Sequence, residues 1–268
     1  MYSGTTIGNK SGHLIGVHQR IDRIARRHVA PLLPTGVKFP DITRILYFEG
    51  NNGPDGIKRK SPSVDEPWHY IDPTQEHDRS VIDMIIDHQV NLTKALKTGN
   101  EERAAFEAAW MAHAIVDGLT PAHHIPFGDK IEELFGIPHI ERKTVKQKNV
   151  IKGVNKRDTI SKNWQYWGKD GLMMTHFWFE IGVSMSILGA PFKKKIVTEA
   201  DTERLKIDGY EKMFREILKQ VFDLKLYDTY SASGWDRKLS KKTRDQLVPL
   251  IIKAVVLGWY SSIMKAKK

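Results

Sequence analysis

The spacing of apolar residues constrains this chain most, because over most of its length they recur three or four positions apart. In "SGHLIGVHQRIDRIARRH" the apolar residues are Leu14, Val17, Ile21 and Ile24, with Ser11 placed as an N-cap; that is the period of an amphipathic helix. "DRSVIDMIIDHQVNLTKALKTG" repeats the pattern and ends at Gly99, and "NEERAAFEAAWMAHAIVDG" adds an Asn100 cap, an acidic first turn and Pro121 just beyond its end, the usual start and stop signals. "GLMMTHFWFEIGVSMSILG" reads as a buried helix, and two amphipathic helices close the chain, "ADTERLKIDGYEKMFREILKQVFDL" and "SKKTRDQLVPLIIKAVVLGWYSSIMKA", the second kinked at Pro249. No strand-rich region and no internal repeat interrupt this, so the expectation for residues 1–268 is one all-α domain, a multi-helical bundle.

Two stretches depart from the period. Residues 29–73 hold seven prolines and the segment "GNNGPDG" and read as a long loop, a feature often tied to function. Residues from about 128 to 165 include "ERKTVKQKNVIKGVNKRDTISKN", Lys-rich and weakly apolar, which reads as an exposed insertion.

Composition narrows the chemistry. With no cysteine, disulfides and thiolate ligands are excluded, so any metal must be held by His, Asp or Glu. The formal charge of +10 suits an anionic partner, although a basic surface that merely keeps the protein soluble explains it equally well. The most apolar run, "LVPLIIKAVVLGWY", is interrupted by Lys253, so no transmembrane segment is expected, and "MYSGTTIGNKSGH" has neither a basic start nor an apolar segment of a secretory signal. As written, the sequence points to the cytoplasm.

Within "WMAHAIVDGLTPAHHIPF", His113 and Asp117 are four apart and share a helix face; His176 and Glu180 in "HFWFE" repeat the spacing. An imidazole and a carboxylate so placed can grip one cation. Eleven histidines and thirty-two acids make one or two such pairs expected by chance. Both pairs, however, lie on otherwise apolar helices, where uncompensated polar groups are costly. His13, Asp55 and His69 are further candidates at helix starts or in the Pro/Gly-rich stretch.

In this order and spacing the segments resemble the zinc-dependent phospholipase C and single-strand-specific nuclease superfamily, all-helical trinuclear zinc phosphodiesterases. "GHLIGVHQRIDRIARR" is similar to its first helix, with His13 at the ligand position. "GNNGPDGIKRKSPSVDEPWHYIDP" resembles the loop that carries an Asp and, fourteen residues on, a His, which gives Asp55 and His69, with Tyr70 as a pocket wall. "AHAIVDGLTPAHHIPF" is similar to the H-x-x-x-D-x-x-x-x-x-H core motif and gives His113, Asp117 and His123; "THFWFE" gives His176 and Glu180. The resemblance spans residues 11 to about 185. His18, His28, His77, His88, His124 and His139 match no family position and are expected to pack or to lie on the surface. Three departures stand out: the family's mature chain begins with a Trp whose amine and carbonyl complete one zinc site, whereas the first Trp here is Trp68; family members are typically exported; and the span from His123 to His176 is longer than usual.

The resemblance implies two or three zinc ions. One would be held by Asp55, His69, His113 and Asp117; a neighbour sharing Asp117 would use His13 and the N-terminus; a third would use His123, His176 and Glu180. Asp55 would also orient or deprotonate the attacking water. The implied reaction is phosphodiester hydrolysis, and similarity of the first helix and the "WHYIDP" loop favours a phospholipase C-like enzyme with peripheral membrane contact. The alternatives are a single-strand-specific nuclease, for which Lys residues would track the backbone while Trp164, Tyr166 and Trp167 stack on bases, and a degenerate, non-catalytic member that binds lipid or nucleic acid. Packing at a helix is the plainer role for those aromatics. Head-group or base preference and oligomeric state are not encoded in any of these motifs.

Overall fold

A computed structural model describes residues 1–4, 16–62, 70–124 and 127–267. It is all-α, with no strand among the described residues. The helices are α1 Val17–Val29, α2 Ile42–Tyr47, α3 Pro54–Lys60, α4 Ser80–Lys97, α5 Glu101–Gly118, α6 Phe127–Phe135, α7 Val145–Asn149, α8 Lys156–Trp167, α9 Leu172–Ile187, α10 Glu199–Asp208, α11 Tyr210–Asp223, α12 Leu226–Ser233, α13 Arg237–Lys242 and α14 Val248–Lys267.

The centre of the bundle is α14, packed against α1, α4, α5 and α11. Val255, Val256, Leu257, Trp259 and Ile263 are fully buried there. The Trp259 indole donates to the Ala108 carbonyl at 2.9 Å and the Tyr210 hydroxyl to that of Ala254 at 3.0 Å, so neither polar tip is stranded in the core. The helical stretch Arg237–Lys267 is long and apolar enough to cross a membrane by length and composition, but 78% of its most apolar window is buried inside the bundle. Its apolar surface is spent on neighbouring helices.

On α5, Ala104, Ala105, Ala108, Ala109 and Ala112 are buried. Their small side chains let α4 and α14 approach closely, and the last two turns bring His113 and Asp117 into the interior. Asn100 caps this helix as its sequence predicts, accepting from the Arg103 amide at 3.0 Å.

Several boundaries differ from the sequence reading. The described part of α1 begins at Val17; the expected Ser11 cap lies outside the described residues. Residues 29–73 are not one loop, since α2, α3 and a 3-10 turn at Ala30–Leu32 occupy part of the span. These pieces are too short to show a period, and Pro54 sits in the first turn of α3, where a missing N–H costs nothing. A Cβ at Gly53 or Gly56 would run into the carbonyl of Glu49 or Asn51, so the glycines of "GNNGPDG" permit a tight turn that lifts Asp55 into place. The Lys-rich stretch, expected as an exposed insertion without clear period, contains the helices α7 and α8. The helices α6 and α8 and the segment after α7 form a small second core of Ile131, Phe135, Ile151 and Tyr166, with Tyr70, Leu134, Leu172 and Met173 against it.

The expected single helix at 200–224 is broken at Gly209, whose φ of 78° and ψ of 165° lie in a region open essentially only to glycine. Pro249 does not end the last helix; a π-helical turn at Thr243–Leu247 precedes it and absorbs the lost backbone hydrogen bond.

Candidate metal centre

Four helices, a 3-10 turn and the α2–α3 turn converge on one buried polar cluster. His18 comes from α1, Glu49 from the α2–α3 turn, Asp55 from α3, His113 and Asp117 from α5, His123 from the turn Pro121–His123, and His176 and Glu180 from α9. His18, Glu49, His113, Asp117, His123, His176 and Glu180 are all buried, whereas the Asp55 side chain keeps 24% of its surface exposed. Asp55 is thus the carboxylate of this group with the most solvent access.

Two triplets of ligand type stand side by side. In the first, His18 Nε2 is 3.2 Å from Asp117 Oδ1 and His113 Nε2 is 3.1 Å from Asp117 Oδ2, with the two imidazoles stacked at 4.1 Å. In the second, His123 Nε2 lies 3.3 Å from His176 Nε2 and 3.3 Å from Glu180 Oε1, and His176 Nε2 is 2.9 Å from Glu180 Oε1. Tetrahedral zinc with bonds near 2.0–2.1 Å separates its ligand atoms by about 3.3 Å. The second triplet has nearly that edge length throughout.

The triplets are adjacent, Asp117 Oδ1 lying 3.8 Å from His123 Nδ1, the ring nitrogen other than the one that meets His176 and Glu180. The Met1 amino nitrogen is inserted between them, 2.6 Å from Asp117 Oδ1 and 3.3 Å from Glu180 Oε1. Tyr2 and Ser3 hold that segment against α1, the Tyr2 carbonyl accepting from the Val17 amide at 2.7 Å and that of Ser3 from Gln19 Nε2 at 2.6 Å.

The electrostatics follow from burying so many acids together. Burial works to raise Asp117, but the Met1 ammonium, His113, His123 and His18 hold it well below the usual carboxylate range. Glu180 is likewise held well below its ordinary value, against burial, by the Met1 ammonium and His176. Asp55 is lowered too, with His113 the leading charge opposing its burial. His123 is pushed by burial down to about 4, which leaves its ring neutral at pH 7, the state a metal ligand requires. His113 moves the other way: burial lowers it, but Glu49 and Asp117 take it well above the ordinary histidine value. Glu49 Oε1 sits 2.9 Å from His113 Nδ1, the ring nitrogen facing away from Asp117. A carboxylate there fixes the ring and its tautomer as an outer partner of a metal-binding histidine does.

The residues fit a metal on the structure's own terms. Neither ring nitrogen of His18 makes a hydrogen bond although the residue is 1% exposed. Such a buried imidazole, aimed at a carboxylate 3.2 Å away, is costly unless a proton or a cation lies between them.

Of the residues expected from the sequence, Asp55, His113, Asp117, His123, His176 and Glu180 are brought together here, and Tyr70, half-buried, packs edge-on to His123 at 5.3 Å. His13 and His69 lie outside the described residues. Two participants were not anticipated. His18, expected to pack or lie on the surface, occupies the α1 position beside Asp117. It is the first residue of an H-x-x-x-D pair with the buried Asp22, the same spacing that marks His113/Asp117, and that spacing could have revealed it. Glu49 sits in an irregular stretch and carried no such signal. His124 packs as expected, buried with Nε2 2.8 Å from the Gly118 carbonyl.

No family model, curated protein or solved structure matches this chain.

Proposed function

We propose that this chain is a zinc-dependent phosphodiester hydrolase of the phospholipase C-like type. The observation that carries the reading is a pair of adjacent buried His–His–carboxylate triplets, Asp117 of the first lying 3.8 Å from His123 of the second, with Asp55 beside His113 as the more exposed carboxylate. The resemblance of the same segments to the zinc-dependent phospholipase C and nuclease superfamily supports it.

In this reading His18, His113 and Asp117 hold one ion and His123, His176 and Glu180 a second. The Asp117 carboxylate, beside both groups, would offset part of the repulsion between two cations held there. Zinc there would supply Lewis-acid charge to the phosphate oxygens and acidify a water. Asp55, ionised and partly exposed, would be the group that orients an attacking water and takes up its proton. Tyr70 walls the substrate side next to His123. Glu49 holds the His113 ring in place.

The test is a metal count joined to a generic diester assay. The purified protein is expected to carry two or three zinc ions and to hydrolyse bis-(p-nitrophenyl) phosphate, with turnover lost to EDTA and restored by zinc. One ion or none, with no EDTA-sensitive turnover, would overturn the proposal. Phosphatidylcholine vesicles against single-stranded DNA then separate the phospholipase from the nuclease reading.

A further inference from the structure

Seven of the thirteen large hydrophobic side chains exposed among the described residues lie in one stretch of the chain. Ile140, Val145, Val150, Val154, Ile160, Trp164 and Trp167, all within 28 residues of chain around α7 and α8, are 57, 38, 44, 91, 70, 70 and 43% exposed. On α8 three of them, Ile160, Trp164 and Trp167, follow at i, i+4 and i+7 and form one stripe. The opposite side of α8 carries Tyr166 into the small second core. The stripe is therefore not a core face that slipped outward; the helix has a packed side and a separate apolar side open to solvent. Monomeric proteins rarely display such a patch without a partner.

Charge identifies the partner. Besides Lys148, whose ammonium is held by the Lys58 and Ser61 carbonyls, the same stretch carries Lys143, Lys146, Lys152, Lys156, Arg157 and Lys162, opposed between 143 and 167 by Asp158 as its sole acid. Arg157 stands three residues before Ile160, at the start of the stripe. Apolar side chains ringed by Lys and Arg, with tryptophan among them, suit an anionic bilayer surface: the tryptophan rings and aliphatic chains enter the interface and the cations meet phosphate head groups. Single-stranded nucleic acid would use the two indoles but would have no use for five exposed aliphatic residues.

The platform is also attached to the candidate site. Tyr70 packs against the second core and, on its other side, against His123.

We propose that the α7–α8 segment docks this protein on the surface of anionic phospholipid bilayers. The inference concerns docking and is measured without turnover, so it fails or stands separately from the hydrolase reading. Sedimentation with phosphatidylcholine vesicles, with and without phosphatidylserine, tests it. The full chain is expected to pellet with the phosphatidylserine vesicles and to be released by high salt. The double variant Ile160→Ser/Trp164→Ser should bind at least roughly tenfold more weakly, since two apolar side chains lose their burial. Lys152→Gln/Lys156→Gln/Arg157→Gln should weaken binding by roughly fivefold per charge removed. Both variants change exposed positions and should keep the wild-type rate on bis-(p-nitrophenyl) phosphate. Failure to pellet, or equal pelleting by the double variant, would overturn the proposal. So would tight binding of a labelled oligo-dT strand that the double variant abolishes while vesicle binding is unchanged.

Discussion

At the scale of single residues, the buried cluster makes distinct demands on His18, Glu49 and Asp117. His18→Ala removes one ligand of the first triplet, and the expected outcome is loss of close to one zinc equivalent by elemental analysis, with the second triplet still loaded. Asp117→Asn touches both triplets and is expected to lower the count further and to reduce diester turnover at least a thousandfold, on the order of the several kcal/mol a metal site supplies. Glu49→Gln leaves every ligand in place. It should weaken zinc binding by roughly 10–100-fold in a competition titration with a chromophoric chelator, as loss of an outer partner does. The i,i+4 pairs were legible in the sequence because one helix fixes their geometry. His18 was obscured because His13, five residues earlier, fills the position similar to the family's ligand, and Glu49 because its contact exists only once the α2–α3 turn folds onto α5.

At the scale of elements, helices with a regular apolar stripe were readable, and the places where they stop or bend were not. Gly209 shows why: its neighbours have good helical period on both sides, and only a backbone angle closed to other residues separates α10 from α11. Nothing lies within 4 Å of a Cβ built there, so Gly209→Ala isolates the conformational cost. The expected loss is about 1–3 kcal/mol in urea unfolding, with the m-value unchanged. The start of α10 is fixed by a capping box between Thr198 and Asp201, and Asp201 also accepts from Lys253 of α14 at 2.6 Å. Burial pushes Asp201 up, but the bonds from Lys253 and Thr198 outweigh it and leave the carboxyl below its ordinary value of 3.8. Because the folded value is the lower one, this stabilisation is present above pH 3.8 and is lost as pH falls through the folded value. Asp201→Asn should cost about 1 kcal/mol at pH 7 and make the acid limb of the stability curve shallower, by thermal unfolding across pH.

At the scale of the whole molecule, the all-α class was legible because almost every long segment carried the same period. The convergence of α1, α3, α5 and α9 on one point was not, since no local pattern encodes which helices meet. That convergence would make the proposed metal a tie between distant parts of the chain. Removing it with a chelator would leave the buried carboxylates to the Met1 ammonium and the histidines alone. At free zinc about 1,000 times the dissociation constant, the lost stabilisation is about 4 kcal/mol. For a domain of this size that corresponds to a fall in Tm of roughly 10 °C, readable by calorimetry with and without EDTA.

The two triplets do not hang on equally supported helices. α5 is wedged among α1, α2, α4 and α14, whereas α9 leans on α8, α12, α13 and the π-helical turn. Local opening should therefore begin at α9. In hydrogen exchange on the metal-free protein, the amides near His176 and Glu180 should exchange well before those near His113, and zinc should slow the α9 amides more. The second ion would then act as a latch on the loosest wall of the bundle.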